Sequence, residues 1–409
     1  MASRGDVAVT GLGLVTPAGN DPETFHQTMS AGRSLASTDP SFAGLPVDFS
    51  CRVTDFDPAA ELGDRLAGRL DRFAHLGLAA ARRALADADL SLPLTGADRV
   101  AVVLGVGCNS LEHYVREFGR LHEDRPTKVS PLALARSVPN MVAGEIALDT
   151  GARGPNFTVS TACASGATAI GTARDLLLSG ACDIVVTGGS ESGISRMAST
   201  GFSQMRALST WTDRPEHASR PFDTERNGFV LGEGAAVLVL ERREHALARR
   251  ARVRAWLRGY GASADAHHPT SPHPEGAGVE QAARAALADA GFSPRHIGHH
   301  NAHGTSTPAG DKAEAMAVLR LFDGTPPPVT APKSILGHSL GAAGAIEAAL
   351  SILALQHQQV PPTANLQQQD SGRELDVVTR TPRTLAHEHA LSTSCGFGGQ
   401  NAALVFSAA

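Results

Sequence analysis

Short runs of β-branched and apolar residues alternate along the chain with longer stretches whose apolar residues return every three or four positions. The runs at residues 7–10, 100–104, 157–159, 183–187, 235–240, 297–301, 390–394 and 402–406 predict strands, since brief continuous apolarity suits a strand buried on both faces. Residues 73–88, 275–290, 310–321 and 341–355 predict helices by the same count. So does the stretch after Ala164, where Ile170, Ala173, Leu176 and Leu177 recur at helical spacing until Gly180 stops the pattern. Strands alternating with helices predict a mostly parallel α/β architecture.

The two halves resemble each other weakly. Residues 157–170 read as strand, turn with a reactive side chain (Cys163), helix; residues 297–316 read the same way with His303 at the turn. Each half also opens on a strand followed by a glycine-rich turn, at residues 7–13 and 253–261. A join near residues 250–254 divides the chain into halves at 1–252 and 253–409. Gly11-Leu12-Gly13 matches only the beginning of a dinucleotide fingerprint, since no third glycine follows in place, and it reads as a tight turn. The Pro-rich stretch at 325–328 reads as a surface connection.

Composition narrows the classes. With 409 residues the chain holds two ordinary cores or one duplicated one. Net charge is −5 and charged residues are 19%, which argues against nucleic acid as a partner. The five cysteines at 51, 108, 163, 182 and 395 include no C-x-x-C pair, so neither a disulfide framework nor a zinc site is expected, and a reducing cytoplasm fits. The N-terminal residues lack a signal-like apolar core, and no uninterrupted apolar run reaches the roughly 18 residues of a membrane span. Aromatics are only 4% beside abundant Ala and Gly, which favours closely stacked backbones.

Within this frame Cys163 stands where a strand delivers a thiol to the first turn of a helix. Unpaired amides and the positive helix end favour a thiolate there. An Ala/Gly-rich setting equally suits a cysteine that merely packs. Three other segments carry polar chemistry among small residues. Asn301-Ala302-His303-Gly304-Thr305 puts an imidazole on a turn. Residues 333–344 put Lys333 and His338 on a loop entering an Ala/Gly helix, with Glu347 one turn further in; a glutamate in so apolar a run needs a partner, and Lys333 is the nearest in sequence. Ser394-Cys395-Gly396-Phe397-Gly398-Gly399 is a glycine-rich turn between strands that lets amides approach a substrate and Phe397 move.

Taken together, Val159-Ser160-Thr161-Ala162-Cys163-Ala164-Ser165-Gly166, Asn301-Ala302-His303-Gly304-Thr305, the 333–344 segment and Gly396-Phe397-Gly398-Gly399 resemble the decarboxylating β-ketoacyl-acyl carrier protein synthases, above all the elongating type II enzymes and their polyketide relatives. The resemblance runs from Val9-Thr10-Gly11-Leu12-Gly13 to Leu404-Val405-Phe406. It implies a thiolase fold, two similar α/β halves in a five-layered α-β-α-β-α arrangement, assembled as a dimer. It implies that Cys163 carries the acyl chain, that the amides of Cys163 and Phe397 form an oxyanion hole, and that His303 and His338 stabilise the enolate of a decarboxylating malonyl thioester. Lys333 with Glu347 would hold the His338 loop. Thr305 and Thr307 would bind the pantetheine arm of the acyl carrier protein, no other cofactor or metal being implied. Arg65, Arg69, Lys128 and Arg206 match positions that contact the carrier.

The chain departs from the family's pattern at Cys395, where the fatty acid enzymes usually have a second phenylalanine two residues before the gating one. Cys108, Asn109, Ser110 and Leu111 are more polar than a saturated acyl tunnel favours. These departures lean toward a specialised polyketide or polyene ketosynthase working with a chain-length-factor paralogue, ahead of a housekeeping fatty acid enzyme; homodimer and heterodimer both stay open. A thiolase is disfavoured by the joint presence of His303, His338 and Lys333. A non-catalytic chain-length factor is disfavoured by Cys163.

Overall fold

The computed structural model describes residues 5–108 and 111–409; Asn109 and Ser110, expected at the acyl pocket, lie outside the described residues. In chain order the elements that build the site are β1 (Val7–Val15), α1 (Arg72–Asp87), β2 (Val100–Gly105), α2 (Leu111–His122), β3 (Asn156–Val159), α3 (Ser165–Leu178), β4 (Ile184–Glu191), β5 (Gly234–Arg242), β6 (Ala255–Ala264), α4 (Ala277–Ala290), β7 (His299–Asn301), α5 (Pro308–Leu321), β8 (Val329–Thr330), α6 (Ala343–His357), β9 (His389–Gly396) and β10 (Gln400–Ala408). Every predicted strand and helix is present, with ends shifted by a few residues. Among these elements the pattern missed α2, whose apolar residues face outward, and the two-residue β8; outside them it also missed helices such as Pro22–Ser30, Met141–Thr150 and Arg196–Gln204.

The strands run in the order β8-β7-β9-β10-β6-β1-β5-β4-β2-β3. Cut between β6 and β1, which share only three residue pairs, this order yields two five-stranded sets with one topology. In each set the first strand pairs antiparallel with the fifth, the fifth antiparallel with the fourth, and the fourth, second and third run parallel. The expectation of a mostly parallel sheet is therefore corrected. Parallel pairing is confined to the outer strands, because β4–β5 and β9–β10 are antiparallel neighbours that need no crossover helix. The self-similarity also needs a new register. β3 is the third strand of its set and corresponds to β8, so the turn of Cys163 matches the turn after His338 and not the turn of His303.

Helices α3 and α6 lie between the two sets and touch both, α1 covers the outer face of the first and α4 that of the second. The central core joins α3 and α6 residues such as Ile170, Ala173, Ile346 and Leu350 to strands of both sets. Residues Leu340–His357 are apolar and long enough to cross a membrane, yet 89% of that stretch is buried, which marks a core helix. The glycines read as tight turns lie inside strands. A Cβ on Gly13 would stand 2.0 Å from Ala80 O of α1, and one on Gly261 would stand 2.1 Å from Ala282 O of α4. Glycine lets the outer helices press directly on the strand backbone, once in each half.

Candidate active site

Beyond β3 the chain passes through a single 3-10 turn, Ala162–Ala164, before α3 begins at Ser165. Ala162 sits at φ 49, a left-handed conformation that alanine rarely adopts. Ser165 braces the elbow: its Oγ donates to Ala162 O at 2.6 Å and accepts from the Thr161 amide at 2.9 Å. Cys163 faces a cavity, and the Phe397 amide donates to its sulfur. Burial pushes the thiol up to about 12, against the pull of the Lys333 ammonium and the Phe397 amide, with Glu191 and Glu347 pushing the same way as burial. This corrects the expected thiolate. Desolvation of the charged form exceeds the stabilisation a helix end supplies, so Cys163 rests as a thiol.

The two histidines converge on that thiol from different strands of the second set. His303 follows β7; its amide and that of Gly304 donate to the Glu314 carboxylate at 2.7 and 2.8 Å, which fixes the turn. Lys333 Nζ donates to His303 O at 2.6 Å, stands 3.2 Å from His303 Nδ1, and makes an ion pair with Glu347. An ammonium only donates, so Nδ1 accepts and the ring proton resides on Nε2. His338 lies after β8 and lies edge-on to His303, with ring centroids 5.5 Å apart and planes at 87°. Burial first, then the Lys333 charge, hold both imidazoles well below the usual histidine range, so both rings are neutral donors at pH 7. Burial pushes the Glu347 carboxyl up to about 7 while Lys333 pulls it down.

One cavity of about 320 Å³ is lined by Cys163, His303, His338, Thr305, Thr307, Arg206, Cys395 and Phe397. Larger hollows of about 670 and 580 Å³ open elsewhere on the surface and contain none of these residues. Lys333 and Glu347 stand behind the histidines, almost wholly buried. The Thr305 and Thr307 hydroxyls lie 3.0 Å apart, and Thr307 Oγ1 also accepts from the Gly310 amide as the cap of α5. Arg206 is exposed at the cavity, Arg65 and Lys128 are exposed away from it, and Arg69 is engaged by Glu145. Cys108 is half-buried, burial pushing its thiol far up, and Leu111 packs at the start of α2 beside a peripheral core cluster.

The Phe397 turn is held by a second segment. Gly398 donates to Pro269 O at 2.7 Å, Asp265 donates to Gly399 O at 2.8 Å, and Asn401 Nδ2 donates to Asp265 Oδ1 at 2.8 Å. A Cβ on Gly396 would lie 2.3 Å from Thr161 O, so glycine lets this turn lie against the Cys163 elbow. An aromatic chain runs from Phe397 to His338: Phe397 to Phe202 at 6.2 Å, Phe202 to Phe229 at 5.2 Å, Phe229 to His338 at 5.3 Å between ring centroids. The reading of the sequence missed Phe202, Phe229, Asp265 and Glu314. Glu314 carried a usable signal, an acidic residue at a helical core position in α5; Asp265 carried none.

A family model described as Beta-ketoacyl synthase, N-terminal domain, matches residues 4–246, and one described as Beta-ketoacyl synthase, C-terminal domain, matches residues 254–367. The chain is 41% identical over 409 residues to 3-oxoacyl-[acyl-carrier-protein] synthase 2 of Vibrio harveyi, covering 99% of each. It is 39% identical over 414 residues to the protein of the same description in Staphylococcus aureus (strain COL), again covering 99% of each. Among solved structures, the ishigamide ketosynthase/chain length factor matches with a TM-score of 0.92 at 34% identity, covering all of both chains. A ketosynthase in complex with its chain length factor from Xenorhabdus doucetiae matches with a TM-score of 0.83 at 27% identity, covering 99% of this chain and 98% of that one. A type II polyketide ketosynthase bound to the hexaketide, in complex with its acyl carrier protein, matches at 0.91 and 28%, covering 99% of each.

Proposed function

Because the chain belongs to the β-ketoacyl synthase family, and so is a thiolase-fold ketosynthase that condenses acyl chains with malonyl-carrier thioesters, we propose that Cys163 is its nucleophile and His303 and His338 its decarboxylation pair. The observation that carries this reading is the convergence of the thiol and two neutral imidazoles on one cavity. In the first half-reaction the Cys163 sulfur attacks the carrier thioester, the acyl–sulfur bond to pantetheine breaks, and the pantetheine thiol leaves with the proton. The Cys163 and Phe397 amides receive the tetrahedral oxyanion. In the second, malonyl thioester loses carbon dioxide, and the His303 and His338 N–H groups hold the enolate oxygen. The enolate carbon then bonds to the Cys163 thioester carbonyl and releases the cysteine sulfur, leaving a 3-oxoacyl chain on the carrier two carbons longer. Thr305 and Thr307 bind the pantetheine arm, and Arg206, at the cavity, meets the acidic carrier. Residues 1–252 supply the nucleophile and 253–409 the histidines.

Cys163→Ala should abolish self-acylation, read by intact mass, while malonyl decarboxylation continues; acyl transfer by that variant would refute the assignment.

The finer reading is a specialised polyketide or polyene ketosynthase in the cytoplasm, working with a chain-length-factor paralogue. Cys395 supports it, because a small side chain beside Phe397 alters how the gate turn packs. The two ketosynthases found with chain length factors are among its structural neighbours. The partner would cover the edge strand β3 and the outer face of α2, where Val115, Phe118 and Leu121 are exposed while His113 and Glu117 face inward. Reconstitution with a carrier, malonyl units and a reductive set tests it; saturated long chains made by the homodimer favour the housekeeping fatty acid alternative.

A further inference from the structure

The shared topology of the two strand sets brings two turns into correspondence, and one carboxylate treats them differently. In the second set the chain leaves β7 at Ala302, whose amide donates to Thr330 O at 2.8 Å, and the next two amides, of His303 and Gly304, go to Glu314. In the first set it leaves β2 at Val106, whose amide donates to Val159 O at 3.1 Å, and the next two amides, of Gly107 and Cys108, each lie 2.8 Å from Glu191 Oε2. The third strands correspond likewise. Ala162–Ala164 and Leu340–Ala342 are both single 3-10 turns opened by a left-handed residue, Ala162 at φ 49 and Leu340 at φ 46, and each leads into a central helix. Gly341 therefore occupies the place of Cys163, and its amide also donates to Glu191 Oε2, at 3.3 Å. One oxygen gathers three amides whose counterparts are divided between Glu314 and the open cavity.

The packing around this oxygen is close. A Cβ on Gly341 would stand 2.1 Å from Gly107 N and 2.8 Å from Glu191 Oε2, and one on Gly107 would stand 3.0 Å from Ala162 O. Glu191 is thus sealed behind the Cys163 turn, 2% exposed, and the Gly341 amide that it accepts lies three residues beyond His338. Burial pushes its carboxyl up to about 7 while the amides pull it down.

We propose that Glu191 is a positioning residue for the condensation: by clamping Gly107 and Cys108 to Gly341, its carboxylate holds the His338 turn and the backbone behind Cys163 in reacting register. The proposal rests on Cys163 and His338 acting as assigned above. A small carboxylate entering the space left by Glu191→Ala would meet the same three amides.

The test compares wild type, Glu191→Gln, Glu191→Ala and Glu191→Asp in Cys163 acylation by mass and in carbon dioxide release from malonyl-carrier thioester, with formate or matched chloride. Glu191→Gln, whose carbonyl still accepts, keeps both rates within about threefold, whereas Glu191→Ala loses about tenfold or more in decarboxylation, recovered saturably by formate and not by chloride. If Glu191→Ala does not fold, Glu191→Asp decides. Its retracted carboxylate should lower kcat about tenfold with KM for the malonyl carrier unchanged. Wild-type rates in Glu191→Ala or in folded Glu191→Asp overturn the proposal, and so does a loss in Glu191→Ala that formate leaves unchanged. A wild type inactive in both assays overturns the assignment of Cys163 and the histidines instead.

Discussion

Lys333 joins the chemistry to the core at the residue scale. Its ammonium donates to His303 O and stands beside His303 Nδ1, and its ion pair with Glu347 is almost wholly buried. Removing one partner of such a pair strands a charge, at about 3–5 kcal/mol, whereas replacing both with apolar side chains of similar volume is close to neutral. Lys333→Ala should therefore lower the thermal midpoint and the decarboxylation rate together. Lys333→Met combined with Glu347→Leu should restore most of the stability while decarboxylation stays low, because the His303 proton is no longer confined to Nε2. Thermal unfolding alongside carbon dioxide release checks both; a double variant with normal decarboxylation would deny Lys333 its part in orienting the ring.

At the scale of elements, β7 contributes to the protein's sensitivity to acid. His299 on this strand is fully buried, and neither ring nitrogen has a hydrogen-bond partner among the described residues. Burial, then the neighbouring His387 and His300, hold it well below the ordinary 6.5. The unfolded chain protonates this imidazole near pH 6.5 and the folded chain does not, so the unfolded state binds the extra proton and stability falls as pH drops below that point. The slope is at most about 1.4 kcal/mol per pH unit for one such group. His299→Leu should remove this contribution at no hydrogen-bond cost: urea unfolding at pH 7 and pH 5 should differ less for the variant than for wild type. Equal differences would mean that His299 takes up a proton in the folded state. The strand glycines are the other decision made at this scale, since Gly13 and Gly261 admit helices so close that any side chain would strike a carbonyl.

For the whole molecule, the inverted amphipathicity of α2 is the feature an isolated chain does not explain. Phe118 is 63% exposed and Val115 57%, on a helix whose buried residues are His113 and Glu117. A second thiolase-fold chain over this face and the β3 edge would bury them. Phe118→Arg should accordingly shift native mass spectra toward the monomer while circular dichroism stays unchanged; a variant still fully dimeric would move the interface elsewhere. Glu191 acts at this scale too, since the atoms it joins come from both halves of the fold.

The candidate site residues and the strands and long helices that hold them were legible in the sequence, whereas helices such as Pro22–Ser30, Met141–Thr150 and Arg196–Gln204 were not. Hydrophobic period is a local property, and Cys163, His303, Lys333 and His338 each stand in a short motif of small residues that local reading detects. Tertiary structure alone decided the rest. It turned the expected thiolate into a buried thiol and the expected parallel sheet into a mixed one. It matched the Cys163 turn to Gly341 in place of His303, and it brought Glu191 to an amide 150 residues away. Desolvation and hydrogen bonds between distant segments depend on which strands become neighbours, and no window of sequence contains that pairing.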